Sequence, residues 1–233
     1  MDTLSEGSQY LFRNISITIS VILLLTFAVS RVIFPKMFSA VYNFSKFTSF
    51  RIKEDFGSNM RLFSTENFYF TLLLSASISF VGLNLFMFSA SLPEYLSWIV
   101  PSNFGSGLLI WLLLTISVQL LFLLKFLFLS AFGGLFALPL SVSKHYQEVQ
   151  ALNNCFVLLL LATCTITIYS NYYFPPDLTG VLMTTVVIYL LYRLLNIFFK
   201  LWQLKLYSKL YIFSYLCTTE ILPTVIGFKL LFN

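Results

Sequence analysis

The sequence predicts an all-α, polytopic membrane protein, a bundle of about six transmembrane helices with both termini on the extracytoplasmic side. Three observations carry that prediction. Of the 233 residues, 58% are hydrophobic and only 10% are charged, whereas a soluble domain carries about 25% charged residues. The apolar residues fall into runs long enough to cross a bilayer, which takes roughly 20 residues. The basic residues alternate from one side of those runs to the other. A lone span must satisfy its own backbone hydrogen bonds, so each run reads as a helix.

The expected spans are Asn14–Phe34, Phe68–Ser89, Gly107–Leu129, Asn154–Tyr173, Leu178–Phe199 and Tyr211–Phe232, within a single integral membrane domain covering the whole chain. The first run is too long for a secretory signal peptide and lacks a small-residue cleavage site. Arg31, Lys36, Lys46, Arg51, Lys53 and Arg61 lie in or beside the first connection. Lys125 and Lys144 flank the third, and Arg193, Lys200, Lys205 and Lys209 the fifth. These twelve of the fourteen basic residues fall on one side, which is cytoplasmic by the positive-inside rule. The second and fourth connections carry Glu94 and Asp177, no basic residue, and the turn-forming Pro93, Pro101, Pro175 and Pro176.

Within the first connection, Phe38, Val41, Phe44 and Phe47 recur at three-residue steps among Lys36, Lys46, Arg51 and Lys53. The pattern predicts an amphipathic helix on the inner membrane surface, anchoring to anionic lipid or offering a face to a partner. The third run continues past its expected end. As one helix, Gly107 to Leu138 would measure about 48 Å, against a hydrocarbon core of about 30 Å. A break is therefore expected near Gly133 and Gly134, with Phe126–Leu140 an interfacial or re-entrant piece.

Ionisable groups at depth are costly and face protein or water. Glu220 lies near the middle of the last run, with the helix-breaking Pro223 three residues later. Pro223 brings no N–H, so the carbonyl of Thr219 loses its helical partner, and the Thr218 and Thr219 hydroxyls are candidates to compensate. Tyr189, Tyr192, Arg193 and Asn196 share one face of the fifth run, and Thr115 and Gln119 one face of the third. Ser75, Ser79 and Gly82 make a small-residue face on the second run, and Cys217, Glu220, Thr224 and Gly227 another on the sixth. Helical rise puts Arg193 and Glu220 within side-chain reach in depth. The expected intramembrane cluster is thus Glu220 with Arg193, with Gln119 as third member and Asn196 on the same face. Lys125, close to the inner interface, is expected to snorkel without a buried partner.

Cys155, Cys164 and Cys217 are scattered through apolar runs, and His145 is the single histidine. They form neither a disulfide framework nor a metal motif, and no cofactor is expected. His145 and Glu148 are three apart on a possible helix and make the one candidate catalytic pair, against the plainer reading of a solvated face. The net charge of +5 follows from the membrane-side asymmetry and points to no nucleic acid.

The ending Tyr215-x4-Glu220-Ile221-Leu222-Pro223, followed by Lys229, resembles the C-terminal signature of a Bacteroidota family of small polytopic inner-membrane proteins of unknown function. The stretches Arg31–Pro35, Arg61–Phe68 and Lys125–Asn154 are similar as well. The resemblance implies a helical bundle in the inner membrane of a Gram-negative cell and assigns no reaction. It implies a group of organisms with elaborate envelope and secretion machinery. The expectation is a non-enzymatic accessory or scaffold subunit of an inner-membrane complex, with protein export as one setting and membrane lipids and other inner-membrane subunits as partners. The alternatives are a transporter or channel subunit using Glu220 and, third, a lipid-modifying enzyme using His145.

Overall fold

The computed structural model describes residues 6–44, 64–88, 100–135, 139–170, 176–203, 209–222, 225 and 229. Among the described residues the chain is helical, with no strand. The helices are α1 (Glu6–Ile33), α2 (Pro35–Val41), α3 (Thr65–Phe88), α4 (Phe104–Leu135), α5 (Pro139–Tyr169), α6 (Pro176–Gln203) and α7 (Lys209–Leu216). A π-helical turn, Cys217–Ile221, continues α7. Helices α2, α5 and α6 each begin on a proline, whose fixed φ suits the first turn and whose missing N–H costs nothing there.

Five helices are long and apolar enough to cross a membrane: α1, α3, α4, α5 and α6. The expected sixth span lies partly outside the described residues. Helix α3 is central. Its most apolar window is 72% buried, against 28% for that of α4, and α3 packs on α1, α4, α5 and α6. Helices α1, α4 and α6 turn their other faces outward. Leu25 and Val32 on α1, Leu120 and Leu127 on α4, and Ile188 and Leu195 on α6 are all exposed. Such continuous exposed aliphatic faces suit contact with lipid or with another apolar surface.

Two layers of core follow. Ile15, Ile19, Leu23, Phe80, Trp111 and Cys164 belong to a large apolar cluster joining α1, α3, α4, α5 and α6. A second cluster, with Leu129, Leu152, Ile197, Tyr215 and Leu216, docks α7 against α4, α5 and α6. Polar side chains tie the helices at particular heights. Ser16 Oγ donates to Asn84 Oδ1 at 3.0 Å, and the Trp111 indole N–H donates to the Ala76 carbonyl at 3.1 Å. Gln150 Nε2 donates to Thr71 Oγ1 at 3.0 Å. In an apolar interior a polar group without a partner costs several kcal/mol, roughly, so such bonds select one register between helices.

The expected break at Gly133 and Gly134 is not there. Helix α4 runs through both to Leu135. A glycine in a helix costs only about 1 kcal/mol relative to alanine. Pro139, by contrast, disfavours helical geometry in the residue before it, and α5 starts at that proline. Phe126–Leu135 is therefore the continuous end of α4, not a separate piece set off by a break at the glycines. Helix α5 likewise begins fifteen residues before Asn154, the expected start of its span, and Asn153 and Asn154 are buried within it.

Among the described residues the predicted helix after the first span is represented by α2, and it leans on the bundle. Met37 and Val41 are buried. Tyr42 packs edge-on against Phe27 and Phe70, and its hydroxyl donates to Asn154 Oδ1 at 3.5 Å. Burial pushes the Tyr42 phenol above its ordinary value, with smaller contributions from Cys155 and Tyr69. So Phe38 and Val41, expected on an outward apolar stripe, face protein, while Lys36 and Phe44 are exposed. Lys46, Phe47, Arg51 and Lys53 lie outside the described residues. On α3, the small-residue face is used unevenly. Ser75 bonds across to α4, whereas a Cβ on Gly82 would meet nothing within 4 Å.

Gly107 marks a tight contact of α4 with α1, because the Ile15 side chain occupies the place a Cβ would take. Gly107→Val should therefore overpack this contact by about 1–3 kcal/mol, lowering the midpoint of thermal unfolding in detergent. Combining it with Ile15→Ala should recover part of that loss. Additive losses in the pair would show that the two positions do not share the space.

Candidate functional site

Helix α7 enters the bundle on Tyr215 and Leu216, both buried. The next turn widens. The Leu222 N–H bonds to the carbonyl of Cys217, five residues back, rather than to the carbonyl four back. Pro223 itself lies outside the described residues, as do Thr224 and Gly227. Widened turns of this kind occur often at functional sites. The threonines do not serve the Thr219 carbonyl as expected. Thr219 Oγ1 donates to the Tyr215 carbonyl at 2.8 Å, and Thr218 Oγ1 to the carbonyls of Ser214 and Tyr215. A helical threonine hydroxyl reaches carbonyls three or four residues before it, so it cannot reach one at its own position or later.

Glu220 is 1% exposed and receives two cations. Arg193 Nη2 on α6 lies 2.6 Å from Oε2, and Lys125 Nζ on α4 lies 2.6 Å from Oε1. Lys125 thus has a buried partner, contrary to the expectation that it would only snorkel. Gln119 does not join them. Its Oε1 accepts from Ser75 Oγ at 2.8 Å, and its Nε2 has no partner among the described residues. The physical reason is rotation: at 100° per residue, Lys125 points about 120° away from Gln119, toward α7 rather than toward α3.

Arg193 is aligned from behind. Asn153 Oδ1 on α5 accepts from Arg193 Nη1 at 3.2 Å and from the Tyr189 hydroxyl at 2.7 Å. Tyr189 is held by parallel stacking on Phe156, with ring centroids 3.7 Å apart. One turn beyond Arg193, Asn196 is fully buried and donates through Nδ2 to the Tyr192 hydroxyl at 3.1 Å. Lys125, Glu220, Arg193, Asn153 and Tyr189 form one connected polar chain across four helices.

A second ion pair sits about two helical turns further along α6. Lys200 Nζ donates to Glu148 Oε2 at 2.7 Å, and Lys200 is 2% exposed. Both residues read in the sequence as membrane-edge charges. The available signal was periodicity: Arg193, Asn196 and Lys200 are spaced by three and four, on one helical face. Glu148, the acid of the candidate His145 pair, is engaged by this lysine. His145 falls on α5. Among the described residues no three His, Cys, Asp or Glu side chains come together as a metal site. Cys155 and Cys164 are buried and Cys217 is half-buried, all as free thiols. Away from the charged groups, a cleft of about 310 Å³ opens between the start of α3, α4 and α5, lined by residues including Asn67, Thr71, Gln119, Phe126 and Tyr146.

Among the described residues the architecture and this site define a helical protein with five helices fit to cross a membrane and a charged cluster buried between the turn after α7 and two of them. The chain belongs to the family described as a domain of unknown function, DUF4271, which matches residues 16–231. No curated protein and no solved structure matches it.

The charge count ranks the variants. Glu220→Gln leaves two neighbouring cations without their anion and should be the most destabilising, by up to about 3–5 kcal/mol. Arg193→Gln and Lys125→Met each leave one neutral pair and should cost less. In the Arg193→Gln, Glu220→Gln double variant much of the Glu220→Gln loss should return. Thermal unfolding in detergent measures all four, and a Glu220→Gln protein as stable as the wild type would refute the ionic cluster.

Proposed function

We propose that the protein is a non-enzymatic accessory or scaffold subunit of a bacterial inner-membrane complex, with six spans and both termini extracytoplasmic. The observation that carries this reading is the use made of the deepest charges. Glu220 ties the C-terminal helix to α4 and α6 at once, and Lys200 with Glu148 ties α6 to α5. Each ion pair joins two helices, which is how a bundle fixes its packing where hydrophobicity cannot discriminate between neighbours. The exposed aliphatic faces of α1, α4 and α6 are broad enough to receive helices of other subunits. Membrane lipids are the remaining partner. The resemblance to Bacteroidota inner-membrane proteins favours an envelope setting, with protein export as the process.

A second reading has one specific observation in its favour. The connected chain from Lys125 through Glu220 and Arg193 to Asn153 and Tyr189, beside a widened helical turn, is the kind of arrangement that moves a proton or ion. The two readings separate on purification in mild detergent and on reconstitution. A stoichiometric membrane partner supports the scaffold, and solute movement by the isolated protein, lost in a folded Glu220→Gln variant, supports transport.

The orientation has its own test. In a background with the three native cysteines replaced, Ser58→Cys and Ser143→Cys should be shielded from an impermeant thiol reagent in intact spheroplasts, and Ser102→Cys should react. Labelling of Ser58→Cys with protection of Ser102→Cys would invert the topology.

A further inference from the structure

The cluster at Glu220 does not balance. Among the described residues two cationic side chains meet one carboxylate, so with Lys125 protonated the group carries one surplus positive charge. Among the described residues the half-buried Glu148 is also drawn between helices, and Lys200 occupies it. A surplus charge away from water is strongly unfavourable, and an arginine cannot shed its proton.

Lys125 is the least enclosed member of the cluster. The Lys125 side chain is 27% exposed, against 11% for Arg193 and 1% for Glu220. It borders the outward aliphatic face of α4, between the exposed Leu121, Leu124 and Phe128. The apolar stretch of α4, Phe104–Ala131, is about 42 Å long and exceeds a core of about 30 Å. Centred in a bilayer, it puts Lys125 about 4 Å inside the hydrocarbon edge, on the basic side of the protein. That is the level from which a lysine ammonium reaches the headgroups. The ammonium has three donors, and Glu220 Oε1 lies 2.6 Å from it.

We infer that Lys125 holds the phosphate of a net-anionic phospholipid, which completes the buried cluster as its fourth, charge-balancing member. A zwitterionic lipid offers the same phosphate but no net charge, so it leaves the surplus in place. The inference rests on the membrane placement proposed above and not on any role as a subunit.

Thermal unfolding of the purified full chain in mixed micelles tests it. Phosphatidylglycerol should raise the midpoint by about 5 °C, and phosphatidylcholine should not. Lys125→Met should abolish that response while Arg13→Gln, at an exposed arginine of α1, keeps it. Glu220→Gln doubles the surplus and should respond more strongly than the wild type. A Lys125→Met protein with the wild-type response would overturn the inference. So would equal stabilisation by phosphatidylcholine, or by inorganic phosphate without lipid, which would assign the site to a free anion.

Discussion

The burial of Glu220 is the constraint on which the arrangement of the C-terminal half depends. A carboxylate at 1% exposure must be met by cations or it destabilises the helix that carries it. It draws Lys125 from α4 and Arg193 from α6 to the same point. Asn153 and Tyr189 then hold the guanidinium at the right angle. The apolar cluster of Leu129, Leu152, Ile197 and Tyr215 surrounds the same height. Apolar packing and charge pairing thus select one position for α7, and neither alone would. Leucine and phenylalanine pack against many neighbours with similar energy, whereas a two-cation site for one carboxylate exists at a single rotation and height.

Among the described residues the N-terminal half solves a related problem without ion pairs. Helix α3 is enclosed on most sides, and its buried polar residues are serine, threonine and asparagine. Their hydroxyls and amides mostly bond back to their own helix, as with Ser77 and Thr71, or across one interface, as with Ser16 to Asn84 and Ser75 to Gln119. Small polar groups allow close helix approach and carry little desolvation cost once bonded. The contrast divides the molecule into a closely packed N-terminal core around α3 and an ionically specified C-terminal corner.

This corner is also where the function is sought. A rigid scaffold subunit needs a unique helix arrangement, and the ion pairs supply it. The same groups would serve a conduction path only if they exchanged partners during a cycle. Their double use of Glu220, with one cation on each oxygen, favours a fixed joint. The surplus charge adds a reason for the joint to sit at the membrane edge, where lipid phosphate is within reach of Lys125.

Much of the fold was legible in the chain. Hydrophobic runs of bilayer length, the helix-starting prolines and the one-sided basic residues are local properties, and they hold whatever the helices pack against. Arg193 and Glu220 stood out because an isolated charge in an apolar run is costly in any arrangement. The partners did not stand out. Lys125 and Lys200 read as edge charges, since a lysine near a span end can reach water unless a neighbouring helix intervenes. Gln119 and Lys125 are six residues apart, and only the rotation of α4 against α7 decides which one meets Glu220. The end of α4 turned on whether Gly133 and Gly134 or Pro139 interrupts the helix, and glycine, the weaker helix breaker, proved compatible with it. The sequence by itself determined which segments are helical and which charges must be paired, because those follow from the cost of exposing backbone and charge to hydrocarbon. Only the tertiary structure added Lys125 to the Arg193–Glu220 pair and joined Lys200 to Glu148, because those contacts depend on the relative height and rotation of helices far apart in the chain.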